Sequence, residues 1–301
     1  MTDLRDQLQA TLGTAYAIER ELGGGGMRRV FLAQDRSLGR RVVFKVVPPD
    51  LSAGVSVERF RREIELVAAL QHPCIVPLLS AGRAGDFLYY TMPFIAGESL
   101  RARLARSGEL PVPEAVRLLR DIAEALACGH RHGVVHRDLR PEHILLAQQR
   151  AVVTDFGVAK ALSAGTGPGP ITSAGVALGT SAYLAPEHVA TGPATDHRVD
   201  LYAWGAVAYE LLTGQPPFRG GRAHALLGDH VAEAPEPVTN RRPGVPPALA
   251  TLVMRCLEKL PADRPQTAEE VLRELDALAT PARGTWWGKL LKRIGRGTAD
   301  G

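Results

Sequence analysis

Cysteine is scarce: three in 301 residues, Cys74, Cys128 and Cys256. They are odd in number, far apart and without ligand spacing, which argues against a disulfide framework and against a cysteine-based metal site. They read as small buried apolar residues in a reducing compartment, so a cytoplasmic setting is expected. Long apolar runs are absent as well. None approaches the roughly 18 residues needed to span a bilayer. The opening MTDLRDQLQA is polar and acidic, unlike a secretory leader. Charge of one sign is not in large excess: 36 Lys and Arg against 32 Asp and Glu leave +4. With no aromatic-rich basic motif beside it, that balance gives no reason to expect a nucleic-acid partner.

What is present suits a globular chain. Hydrophobic residues make up 45% and charged residues 23%, enough for one large core or two smaller lobes. The texture changes along the chain. RRVVFKVV (40–47) and FLYYTMPFI (87–95) read as strands, and Phe60, Ile64 and Val67 mark a helix. Beyond Gly97, Ala115, Leu119, Ile122 and Leu126 recur at helical spacing, as do Leu201, Gly205, Ala208 and Leu212 before Gly214. Thr267 and Glu270 form a capping box. Strands followed by helices predict an α+β protein with a small sheet-rich lobe and a larger helical lobe. Residues 163–180 form a long stretch of small residues with no periodicity, the kind of loop that carries function or lacks order.

Several residues carry chemistry in this pattern. Gly23, Gly24, Gly25 and Gly26 follow a strand; glycines at such a turn let backbone amides approach phosphate oxygens, although a plain flexible turn has the same composition. Lys45 stands on an apolar strand, where it either turns to solvent or finds a partner. Glu63 faces the inner side of its helix and needs a cation, for which Lys45 is the natural choice; a snorkelling surface Glu is the alternative. Asp138 and Asp155 lie in two apolar-flanked segments that pair as a hairpin around Ala147–Arg150. One is suited to hold a metal ion and the other to accept a proton.

In order over residues 16–278 stand LGGGGMRRVFLA, VVFK, Glu63, HPCIVPLL, HRDLRPEHILL, TDFG, GTSAYLAPE, DLYAWG and PADRP. Together they resemble the catalytic domain of the bacterial branch of eukaryotic-type serine/threonine protein kinases. The resemblance implies a bilobal kinase-like α+β fold. A small antiparallel sheet lobe with one helix spans 16–94, a hinge lies near 93–96, a mainly helical lobe spans 97–278, and a basic tail occupies 279–301. It implies ATP as phosphoryl donor and magnesium as metal, with proteins as substrates. The glycine loop covers the phosphates, Lys45 binds them and pairs with Glu63, and Asp138 is the base. Arg140 stands at the usual lysine position beside that base, and Asp155 ligates magnesium. Leu22, Val30, Val43, Met92 and Leu145 enclose adenine, with backbone around Phe94 and Ile95; for each of these apolar residues core packing is the competing reading. Arg137 meets a phosphate on the activation loop, where Thr172, Ser173 and Thr166 are the expected autophosphorylation sites, reached in trans through a homodimer. Thr180 packs near Asp138, Glu187 pairs with Arg264, and Asp200 anchors the catalytic loop.

Three positions depart from the pattern. Arg28 stands at the third loop glycine, and Arg140 replaces Lys, giving a planar fork in place of a point charge. His143 occupies the place of the metal-binding Asn. Magnesium accepts nitrogen poorly and manganese better, so reduced magnesium-supported activity and manganese rescue are expected. The alternative reading is a pseudokinase, a nucleotide-binding scaffold with little turnover. In the tail, Trp287, Leu290, Leu291 and Ile294 form one helical face and Lys289, Lys292, Arg293 and Arg296 the other, a pattern suited to the inner face of an anionic membrane. A helix docked on the large lobe is its competitor.

Overall fold

A computed structural model describes residues 4–25, 28–47, 56–163, 181–191, 195–218, 228 and 230–279. Gly26, Thr166, Thr172, Ser173, Thr180 and the tail from 280 lie outside the described residues, as does the Arg28 side chain.

The small lobe begins with helix α1 (Leu4–Leu12). There follow strands β1 (Tyr16–Gly25), β2 (Arg28–Asp35) and β3 (Arg40–Val47), helix α2 (Val57–Ala68), and strands β4 (Ser80–Ala84) and β5 (Phe87–Pro93). The five strands make one antiparallel sheet in the order β1-β2-β3-β5-β4. Cross-strand pairs Val30↔Lys45, Lys45↔Tyr90 and Val43↔Met92 put these five residues on one face. That face joins the main core, which Phe60, Ile64 and Val67 of α2 also enter. The opposite face carries Phe31, Ala33, Val42, Phe44 and Val46, and these bury Leu8 of α1. Gln9 fixes α1 in place: its side-chain oxygen accepts from Ile18 N (2.8 Å) and its amide donates to the Tyr16 carbonyl (2.9 Å). The strands and α2 appear where the residue pattern puts them, but α1 adds a second helix to this lobe, ahead of residue 16.

The large lobe contains β6 (Glu98–Ser99), α3 (Leu100–Ser107), α4 (Val112–Arg131), β7 (Ile144–Ala147), β8 (Arg150–Val153), α5 (Val158–Ser163), α6 (Pro186–Thr191), α7 (Arg198–Thr213), α8 (Val238–Arg241), α9 (Pro247–Cys256) and α10 (Ala268–Ala279). Helix α7 is apolar all round and nearly every residue is buried, as a central helix requires. Trp204 of α7 donates its indole N–H to the Leu119 carbonyl of α4 (3.0 Å). Gly214, at φ 77°, closes α7 in the left-handed region. At α10 Thr267 accepts from Glu270 N (3.1 Å), while the Glu270 carboxylate reaches one residue further back, to Gln266 N (2.8 Å). A second, three-stranded sheet has the order β6-β7-β8 and contains the β7–β8 hairpin. Its turn residues, Gln148 and Gln149, both have positive φ (48° and 66°), the backbone of a two-residue hairpin turn without glycine. Residues 74–76 run beside β8: Val153 N donates to Cys74 O (2.8 Å) and Val76 N to Val153 O (2.9 Å). Among the described residues no helix is long and apolar enough to cross a membrane.

The three cysteines are buried and unbridged. Burial pushes the Cys74 thiol up to about 12. Beside it Asp121 and Glu124 converge, and one guanidinium nitrogen of Arg150 lies 2.9–3.5 Å from all three, so the chain itself supplies the cation there.

Candidate active site

The segment 136–143 is fastened from below. Asp200, fully buried on α7, accepts from the backbone N–H of His136 and of Arg137 (both 2.8 Å) and lies 2.8 Å from His130 Nε2. Burial pushes the Asp200 carboxyl up, yet the His130 bond and the amides outweigh it and hold it below the usual carboxylate range. His136 is fully buried. Its Nδ1 accepts from Asp138 N (3.2 Å), so Nε2 carries the proton and donates to the Thr154 carbonyl (2.8 Å). One imidazole thereby ties the loop to the end of β8. Arg137 and Asp155 adopt left-handed backbone at φ 64° and 67°. Such geometry costs about 1–3 kcal/mol for a non-glycine residue and persists only where surrounding bonds impose it. Gly157, at φ 63°, passes so close to α2 that a Cβ would lie 2.7 Å from Val67 Cγ2.

His143 stands between the two aspartates. Its Nδ1 donates to the Asp138 carbonyl (2.7 Å) and lies 3.5 Å from Asp138 Oδ2. That leaves Nε2 unprotonated, 3.6 Å from Asp155 Oδ2. Burial holds the imidazole below its ordinary range, against the pull of Asp138 and Asp155, so the ring is neutral near pH 7. Asp155 is almost fully buried and also accepts from the Tyr90 hydroxyl (2.8 Å) and from Thr154 Oγ1 (3.2 Å).

The lysine–glutamate pair expected from the sequence is not formed. Lys45 Nζ lies 2.5 Å from Asp155 Oδ2, and Glu63 instead meets Lys160 Nζ of α5 at 2.9 Å. Two cations compete for Glu63, and the one on the helix packed against α2 holds it. Lys45 turns to the buried carboxylate that remains.

The apolar positions divide. Val43 and Met92 are buried, and Val30, Phe94, Ile95 and Leu145 pack partly buried against the same core. Leu22 stays 36% exposed at the lobe's edge and belongs to neither core. The Phe94 N–H donates to the Arg41 carbonyl (3.2 Å) and is thus engaged within the small lobe. Gly97 brings the hinge against β7, where a Cβ would lie 2.1 Å from the Leu146 carbonyl oxygen. Gly23, Gly24 and Gly25 extend β1 and pair with the start of β2.

Arg137 donates to the Thr195 carbonyl (3.2 Å), and its Nε is buried with no hydrogen-bond partner among the described residues. Arg140 Nε donates to Glu142 Oε2 (2.8 Å), two residues from Asp138. Arg264 satisfies all five of its donors, on both oxygens of Glu187 (2.6 and 2.8 Å) and on the carbonyls of Arg198, Glu258 and Lys259. Tyr90, Lys160 and Arg101 did not stand out in the sequence. Their roles depend on partners 41 or more residues away.

The family described as protein kinase domain matches residues 16–275. The chain is 39% identical over 286 residues to the serine/threonine-protein kinase pkn3 of Myxococcus xanthus, covering 92% of this chain and 52% of that one. It is 40% identical over 270 residues to PknB of Mycolicibacterium smegmatis, covering 88% and 43%. The chain therefore spans about half the length of the curated relatives it matches. Among solved structures, the PknI kinase domain of Mycobacterium tuberculosis superposes with a TM-score of 0.70 at 28% identity, covering 89% of this chain and 96% of that one. Rad53 in complex with AMP-PNP gives 0.71 at 25% identity, covering 86% and 64%.

Proposed function

The chain belongs to the protein kinase domain family, and from that premise we propose that it is an ATP-dependent serine/threonine protein kinase that autophosphorylates on its activation loop. The observation carrying this reading is the run of contacts from Asp138 to His143 (3.5 Å), His143 to Asp155 (3.6 Å) and Asp155 to Lys45 (2.5 Å), which joins the two lobes. The family uses ATP and a divalent metal ion. The donor set fits both. Lys45 provides a cation beside the Val30, Val43, Met92 and Leu145 cluster, and Asp155 with His143 offers a carboxylate oxygen and an unprotonated nitrogen 3.6 Å apart. The bound ion would neutralise charge on the transferring phosphoryl group. Magnesium is the proposed ion, with manganese better matched to the nitrogen.

In the proposed reaction Asp138 accepts the proton of a Ser or Thr hydroxyl as its oxygen bonds to the γ-phosphorus. The bond from that phosphorus to the β-bridging oxygen breaks, and ADP leaves. Arg140 supplies a fixed guanidinium beside the base. Lys45 leaves Asp155 for the phosphates, and Glu63 leaves Lys160 to hold it. The test is transfer of radiolabelled phosphate from ATP by the full chain, in magnesium and in manganese, with Asp138→Asn as control. Phosphopeptide mapping should find label on Thr172, Ser173 or Thr166, and transfer between two copies should make the rate depend on concentration. Active protein with an unlabelled 163–176 segment would remove autophosphorylation from the reading.

His143 and the Lys45–Asp155 pairing favour a second reading, a nucleotide-binding scaffold with little turnover. Nucleotide binding with no label transferred in either metal would select it. We also propose that the tail brings this cytoplasmic domain to the inner face of an anionic membrane, since residues 285–297 alternate apolar and basic faces. Co-sedimentation with anionic vesicles, with and without residues 281–301, tests that placement, and equal behaviour rejects it.

A further inference from the structure

One side chain outside the expected set joins three parts of the large lobe around the base. Arg101, on α3, is held at its start by the Ser99 cap, whose hydroxyl accepts from Ala102 N (3.2 Å). Its guanidinium faces two carboxylates. Nη1 and Nη2 donate to Glu210 of α7 (2.7 and 3.2 Å), and Nε donates to Glu142 Oε1 (3.0 Å). Nη2 also meets the Tyr183 hydroxyl, which in turn donates to Glu210 (2.5 Å). Glu210 and Tyr183 are buried, so this end cannot move without stranding a carboxylate. The other end is freer, because Glu142 is about a third exposed.

Glu142 has two oxygens and two arginines. Arg101 takes Oε1, and Arg140 takes Oε2 at 2.8 Å. A carboxylate held at one oxygen fixes the direction of the other. Released from Arg101, Glu142 turns freely, and the Nε–H bond that fixes the Arg140 fork loosens with it.

We propose that Arg101 is a positioning residue for phosphoryl transfer: acting through Glu142, it sets where Arg140 directs its guanidinium beside Asp138. This rests on the kinase reading above and adds to it a residue that touches neither nucleotide nor acceptor. It belongs to geometry rather than to fold stability, and the two are separable. Loss of Arg101 alone leaves Glu210 unpaired and lowers stability; loss of both Arg101 and Glu210 relieves that charge but leaves Glu142 unheld.

The test compares wild type with Arg101→Gln, Glu142→Gln, the double variant of these two, and Arg101→Met/Glu210→Met. The full chain is assayed with ATP and dephosphorylated casein, with Tm measured in parallel. The expected result is a fall in kcat of about tenfold in Arg101→Gln and in Glu142→Gln, with KM for ATP within about twofold. Their double variant should be no slower than either single. Arg101→Met/Glu210→Met should regain Tm yet remain slow. A multiplicative loss in the first double variant, a change confined to KM, or recovery of kcat together with Tm would overturn the proposal. A second readout does not depend on turnover. The Arg140 Nε–H resonance, assigned with Arg140→Lys, should exchange with water at least about tenfold faster in Arg101→Gln than in wild type. Unchanged exchange counts against Arg101. Wild type that transfers no phosphate counts against the kinase reading, while this resonance still decides the role of Arg101.

Discussion

His143 places a nitrogen where the family resemblance calls for an amide oxygen, and its surroundings fix which nitrogen. Donation from Nδ1 to the Asp138 carbonyl leaves Nε2 free toward Asp155. A soft donor beside a hard one shifts preference from magnesium toward manganese. His143→Asn is therefore expected to raise the magnesium-supported rate relative to the manganese-supported rate by about tenfold, in keeping with a change of one metal-shell ligand. Parallel initial-rate assays in the two metals check this, and an unchanged ratio would refute it. The residues proposed to act by their own chemistry were legible in the sequence: Asp138, Asp155, Lys45 and His143 stand in motifs whose order carries the information. Ion-pair partners were not. Glu63 was readable as a carboxylate in need of a cation, but which of two lysines holds it depends on where α2 and α5 sit. Tyr90 and Arg101 lie in segments whose local pattern is merely apolar or merely charged, so only the assembled fold shows what they touch.

Among the elements, α1 illustrates how a structural signal can be present and still be faint. Leu4, Leu8 and Leu12 recur every fourth residue, but in a short polar segment three leucines do not demand a helix. The stronger clue lies in β3. VVFKVV does not alternate, and consecutive buried residues Val42, Val43 and Phe44 mean that both faces of the sheet are covered. One cover is α2 with the large lobe; the other is α1. Leu8→Ala is expected to lower unfolding free energy by about 2–5 kcal/mol through the cavity it leaves under Phe31 and Phe44. Urea unfolding of the variant measures it, and a loss under about 0.5 kcal/mol, the scale of an ordinary surface substitution, would mean that α1 is not a working part of the lobe.

For the whole molecule, two consequences follow from how charge is distributed. The first concerns acid. His230 is fully buried against Tyr202, with its Nδ1 2.7 Å from the Tyr202 hydroxyl. Burial, with the Lys259 ammonium nearby, pushes its imidazole down to about 3, and burial lowers His188 and His143 in the same direction. These groups are neutral in the fold and take up protons on unfolding below their ordinary value of about 6.5. Their contribution is complete above that pH and is lost as pH falls toward the folded value, by up to about 1.4 kcal/mol per pH unit for each. The urea midpoint should hold steady from pH 8 to 7 and decline below 6.5, with a shallower decline in His230→Gln. An identical slope in that variant would exclude His230 as a contributor. The second concerns the lobes. Lys160 holds Glu63 across α2 and α5 at a partly exposed site, worth about 1 kcal/mol or less. Lys160→Ala is expected to raise the activity of unphosphorylated protein by up to about fivefold, measured as initial rate after phosphatase treatment. A decrease would mean that the pair supports activity rather than restraining it.

The backbone ladder between residues 74–76 and β8 also says where the molecule should breathe. Val153 N–H and Val76 N–H are bonded between a buried strand and the segment leaving α2. In hydrogen–deuterium exchange these two amides should survive to global unfolding, while those of α2 exchange through local opening. The border between slow and fast amides then falls between Leu70 and Val76. Isotope uptake would draw the line dividing the part of the small lobe that moves from the part that travels with the large one.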